Sequence, residues 1–192
     1  MTIEKAKSVD MISSDLVAGT TTGETLTALG RFDYECIGAD GKVKWRGSSP
    51  NLVVNVGLQY MAGVALTSTA QITTWYIGLY GAASSNNPAA SDTMSSHAGW
   101  TENTTYSNST RVACSFTAAT NANPSVATNS GTPASFSING TTTIGGAFLT
   151  SGSAKGGTAG TLFSASDFTS PGDRSVVSGD TLNVTYTLSL AG

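Results

Sequence analysis

Apolar and polar residues alternate most regularly near the end of the chain. There Leu182, Val184, Tyr186, Leu188 and Leu190 interleave with Thr181, Asn183, Thr185, Thr187 and Ser189. A period of two puts the apolar side chains on one face of a strand and the hydroxyl-bearing ones on the other. That is the pattern of an antiparallel sheet with one wet face. The same alternation places Phe32, Tyr34 and Cys36 together in residues 32–37 and returns in residues 43–46. Between these runs Asp40-Gly41 supplies tight-turn chemistry, so a β-hairpin is expected.

The period changes once. Leu58, Met61, Ala62 and Ala65 fall at helical spacing and predict a short helix over residues 56–66, with Asn55 able to cap it and Gly57 and Gly63 weakening it. Residues 72–81 are dense in β-branched and aromatic side chains and read as a buried central strand. Residues 92–97 suit one helical turn capped by Ser91 or Asp92. Strands are then expected over 111–118, 134–138, 142–150, 161–165, 175–177 and 181–190, with turn signals such as Asn139-Gly140 and Ser178-Gly179-Asp180 between them. Short strands at this spacing make the fold class mainly β, a single antiparallel β-sandwich or barrel-like domain with one short helix.

Residues 1–29 hold no period for more than a few positions, and residues 30–192 form the expected β domain. The isolated apolar residues Ile3, Met11, Ile12, Leu16 and Val17 suit an extended N-terminal arm that lies across a neighbouring subunit. A frayed tail fits the same pattern.

Composition sharpens this picture. Charged residues make up 11% of the chain, against roughly 25% in average soluble domains. So few charges suit a protein packed against neighbours in a multi-copy assembly. Nine Lys and Arg against twelve Asp and Glu give a net charge of −3. The basic residues favour the N-terminal quarter, where they read as hairpin solubility, and no basic face is gathered for nucleic acid. No apolar run has the length of a membrane span, and residues 1–16 lack the continuous apolar core of a secretory signal. Synthesis in a cytoplasm is therefore expected, with Cys36 and Cys114 as separate thiols.

The candidate chemistry is thin. His97 is the one histidine, beside Ser95, Ser96, Asp92 and Glu102. This looks like a hydrolytic set, but neighbours within one turn do not supply triad geometry, and a polar turn anchored by Trp100 is the expected role. Phosphate-cradling glycine loops and Cys-x-x-Cys pairs are absent, so neither cofactor nor metal is expected. Asp33, Glu35 and Glu102 would have to converge to act as glycosidase carboxylates. Trp45, Trp75, Tyr76, Trp100 and Tyr106 are the candidates for a sugar platform.

Several stretches together carry a resemblance. They are Asp40-Gly41 with Lys44-Trp45, Thr74-Trp75-Tyr76-Ile77-Gly78-Leu79, and Asp92 through Glu102 with Tyr106 and Arg111. Gly145-Gly146-Ala147-Phe148-Leu149-Thr150, Gly156-Gly157-Thr158 and Ser178-Gly179-Asp180-Thr181-Leu182 complete the set. Across residues 32–190 the chain resembles a family of small virion structural proteins of tailed bacteriophages and prophages. The resemblance implies a non-enzymatic virion component assembled in the host cytoplasm. Its size and arm favour a capsid decoration or cement protein whose partners are the phage major capsid protein and copies of itself, with no nucleic acid and no membrane. A tail or fibre component is the alternative, although the chain has neither repeats nor heptads. A glycan-binding or glycan-degrading phage protein is the reading from a different class.

Overall fold

A computed structural model describes residues 26–82, 88–169 and 172–192. Two antiparallel sheets face each other, and they do not close into a barrel. The first sheet contains β1 (Thr27–Ile37), β2 (Val43–Pro50), β7 (Ser125–Thr128), β8 (Ala134–Ser137) and β12 (Thr181–Ala191). Its order is β2-β1-β12-β7, with β8 paired to the first half of β12. The second contains β3 (Leu52–Val53), β4 (Trp75–Gly81), β5 (Glu102–Asn103), β6 (Val112–Cys114), β9 (Thr142–Thr150), β10 (Leu162–Asp167) and β11 (Arg174–Val176). Its order is β3-β10-β9-β4-β5, with β11 paired to β9 and β6 to β4. The helix α1 (Asn55–Leu66) crosses from β3 to β4.

The alternating runs became strands because each has one face to bury. Phe32, Tyr34 and Cys36 pair with Tyr186, Val184 and Leu182 across the β1–β12 ladder, and all six are buried. Opposite them, Ile77, Leu79, Ile144, Ala147, Leu149 and Phe163 come from the second sheet. That sheet is covered on its other face too. Val54, Tyr80, Met94, Trp100, Phe148, Leu162 and Ala165 form a second cluster. Burial on both faces explains why β4, β9 and β10 show no alternation of burial, whereas β1 and β12 do.

The helix lies where its period placed it, and its weak residue has a purpose. A Cβ on Gly57 would collide with the Phe163 carbonyl oxygen, so glycine lets α1 sit directly on β10. Val56 packs against the second cluster, while Tyr60 and Met61 pack against the first.

Five details differ from the sequence pattern. Strand β1 begins at Thr27, inside the span assigned to the arm. Asn55 does not cap α1. The cap position is Val54, whose N–H is already given to the Phe163 carbonyl at 3.1 Å, so strand pairing runs straight into the helix. Residues 72–74 stay outside β4, because the Ile72 N–H is drawn to the Tyr60 hydroxyl at 2.7 Å. Residues 92–97 form no helical turn. Thr93 and Ser96 exchange backbone hydrogen bonds, and Asp92 turns back to the Ala89 N–H at 2.9 Å. Finally, the 111–118 strand shrinks to β6, and β5 (Glu102-Asn103) and β7 (Ser125-Val126-Ala127-Thr128) lie outside the expected strands because neither alternates apolar with polar residues. The arm residues Ile3, Met11, Ile12, Leu16 and Val17 lie outside the described residues.

Candidate functional site

The groups that looked chemical in the sequence are engaged in holding the fold. The His97 ring stacks on Trp100 with centroids 3.8 Å apart, and its Nδ1 lies 2.9 Å from the Trp100 carbonyl. Asp92 accepts the Trp100 indole N–H at 3.0 Å, which occupies the carboxylate a triad would need beside histidine. Ser95 and Ser96 belong to the Thr93 turn. The cluster is the polar turn anchored by Trp100 that the residue types suggested.

Glu102 is committed to Arg111. The guanidinium donates from Nε to Oε1 at 2.9 Å and from one terminal nitrogen to Oε2 at 2.7 Å, a bidentate pair. Its remaining donors reach the carbonyls of Gly152 and Gly157 at 2.8 and 2.7 Å. Both side chains are buried. Asp33 and Glu35 lie on the first sheet, where they pair with Arg31 and Arg46, so the three carboxylates do not meet.

Asp180 closes the turn between β11 and β12. It accepts from the Lys44 ammonium at 2.6 Å and from the Val177 N–H at 2.9 Å. Burial by itself would raise its carboxyl, but the hydrogen bonds from Lys44 and Val177 outweigh that and hold it below the ordinary range. A depressed carboxyl stabilises the fold above the unfolded value, about pH 4, and this contribution is lost as pH falls through the native value. Asp180→Asn should therefore lower stability at pH 7 by on the order of 1 kcal/mol, since the half-exposed lysine is partly screened. The gap between variant and wild type should close as urea midpoints are measured below about pH 4. A gap that stays constant down to pH 2 would remove the charge from this account.

Cys36 and Cys114 are separate free thiols. Burial, then the nearby Asp180 carboxylate, pushes Cys36 up to about 11, and burial pushes Cys114 up to about 12. Both remain protonated near neutrality, which is the opposite of an activated nucleophile. Among the described residues, no three His, Cys, Asp or Glu side chains gather where they could hold a metal ion. No helix of the described residues is long and apolar enough to cross a membrane.

The candidate sugar-platform aromatics are dispersed. Trp45 packs on Phe168, Trp75 on Tyr60 and Phe163, Trp100 on His97, Tyr80 and Phe148, and Tyr106 on Phe136.

One region is left unfinished. At the far end of β12 the two sheets diverge and leave a cleft of about 920 Å³. Leu188, Leu190 and Ala127 of the first sheet form one wall, and Trp75, Cys114 and Leu149 of the second form the other. Met61 and Val64 of α1, with Ile72 beyond it, line the rim. Among the described residues no charged one lines this cleft; its polar side chains are tyrosine, serine, threonine and glutamine. Along β12 the buried series Leu182, Val184, Tyr186 gives way to half-exposed Leu188 and Leu190. The apolar alternation continues while its cover stops. Sequence reasoning found these leucines as core residues and missed the cleft, because the period of a strand is silent about what stands opposite it. Comparison with protein-family models, with curated proteins and with solved structures finds no match.

Proposed function

We propose that this chain is a non-enzymatic structural protein of a tailed-bacteriophage virion, a capsid decoration or cement protein that stabilises the head by bridging capsid subunits. The observation that carries this reading is the apolar, uncharged cleft left open in an otherwise well-packed sandwich, beside the point where residues 1–26 join β1. Concave, mainly apolar surface between packed elements is a common place for a binding site, and this cleft offers such surface. The low charge density and the resemblance of residues 32–190 to small virion proteins support the same reading.

The mechanism is linkage. A protein that binds only the assembled lattice stabilises that lattice by mass action, and no bond need be made or broken. Its partners are the major capsid protein and copies of itself.

Immunogold labelling of purified phage particles tests the assignment. Label over the head is expected, and the capsids should lose heat resistance when the protein is stripped and regain it when the protein is added back. Label confined to the tail would replace the decoration role with a tail component. A protein absent from the particles would overturn the virion reading altogether. Glycan release abolished by His97→Ala would point to the enzymatic class instead.

A further inference from the structure

We propose that the cleft between the sheets is the seat for residues 11–17 of a second copy of this chain, so that copies are linked arm into cleft. It rests on the proposed reading only in needing copies held close together, as on a particle surface, where effective concentration favours exchange between neighbours.

The first argument is chemical. Leu188 and Leu190 continue the core face of β12, but the described residues cover them only in part, whereas Leu182, Val184 and Tyr186 are fully buried. A small-molecule site carries a few polar groups placed to orient its ligand. Among the described residues this cleft has no charged group, which suits a set of apolar side chains better than a head-group-bearing ligand. Met11, Ile12, Leu16 and Val17 are such a set, with Asp15 the single charge among residues 11–17.

The second argument is positional. Thr27 pairs with Ala191 and Ala28 with Leu190, so the chain joins β1 at the rim of the cleft. Strand β1 is antiparallel to β12, which ends at that rim. Strand β1 therefore leads away from the rim, and a segment seated in the cleft of its own chain would have to turn back at Thr27. Nine residues lie between Val17 and Thr27, and the ten steps from one to the other span about 35 Å when extended. That is about the length of an eleven-residue strand such as β12, so the reach is long enough to meet an adjacent copy.

Site-directed disulfide formation between two populations of full-length protein tests this. One carries Leu16→Cys and the other Ala65→Cys at the exposed rim of the cleft, both with Cys114→Ser, and they are mixed and oxidised with copper phenanthroline. A crosslinked heterodimer is expected, at least tenfold more abundant than with Lys42→Cys, at the distant hairpin turn, as the second population. Adding Val64→Asp within the cleft should abolish the band while circular dichroism shows the sandwich intact. Equal crosslinking to residue 42, or none to residue 65, overturns the proposal. So does a chain carrying both Leu16→Cys and Ala65→Cys that closes only on itself at every concentration, since the cleft would then hold its own arm. Particle labelling is read in parallel. Label on the head without the crosslink removes this inference alone, and the crosslink without virion label removes only the virion reading.

Discussion

Arg111→Met is expected to be the most damaging substitution of a polar residue in this protein, lowering stability by about 3–5 kcal/mol. At this chain length that corresponds to a fall of roughly 6–20 °C in Tm. The physical reason is what remains behind. Glu102 is buried and would be left with only the Gly156 N–H, 2.7 Å away, for a partner. The carbonyls of Gly152 and Gly157 would lose their donors at the same time. Arg111 also stands 5.2 Å over the Phe148 ring, in the middle of the second apolar cluster. The double variant Glu102→Leu with Arg111→Met removes the orphaned carboxyl group and should recover part of the loss, because buried ion pairs are often replaceable by apolar groups of similar volume. Recovery should stop about 1–3 kcal/mol short of wild type, the cost of the unpaired backbone groups around residues 152–157. Urea denaturation followed by circular dichroism measures both steps. Full recovery would mean that Arg111 matters only as the partner of Glu102. A single variant as stable as wild type would mean that the guanidinium does not hold this loop at all.

Gly146→Ala is the second large effect expected, about 3 kcal/mol from one methyl group, at the upper end of ordinary overpacking. Gly146 lies in β9, paired with Tyr80 of β4 on one side and Asp167 of β10 on the other. A Cβ there would overlap the Tyr80 ring and the Ser166 carbonyl oxygen. The ring is fully buried beside Trp100, and the oxygen belongs to the neighbouring strand, so neither can yield cheaply. Gly131→Ala is the matched control, since a Cβ at that position meets nothing within 4 Å. It should change stability by less than about 0.5 kcal/mol. Equal urea midpoints for the two variants would show that β9 and β10 can part without cost, against the packing described.

Local pattern was sufficient wherever the cause of structure is local. The hairpin of β1 and β2, the helix and the long strand β12 follow from period and turn chemistry, because a strand or helix with one apolar face has one way to bury it. The pattern failed where a neighbour decided. Asn55 lost its capping role to a strand that runs into the helix, and residues 72–74 were diverted by the Tyr60 hydroxyl. Asp92 turned to an indole rather than to a helical N-terminus. The same division governs the candidate site. Arg111 and Glu102 are nine residues apart in sequence, and nothing in their spacing announces a buried bidentate pair. Leu188 and Leu190 were legible as core, yet their exposure was not.

From the sequence alone came the β class, the alternating faces and the scarcity of charge. These are properties of composition and of side-chain period, which act over a few residues. The tertiary structure alone decided which carboxylates meet cations, which glycines must be glycine, and where the sandwich stays open. Those depend on what a second sheet places opposite a given face, and a one-dimensional period carries no record of the opposing surface.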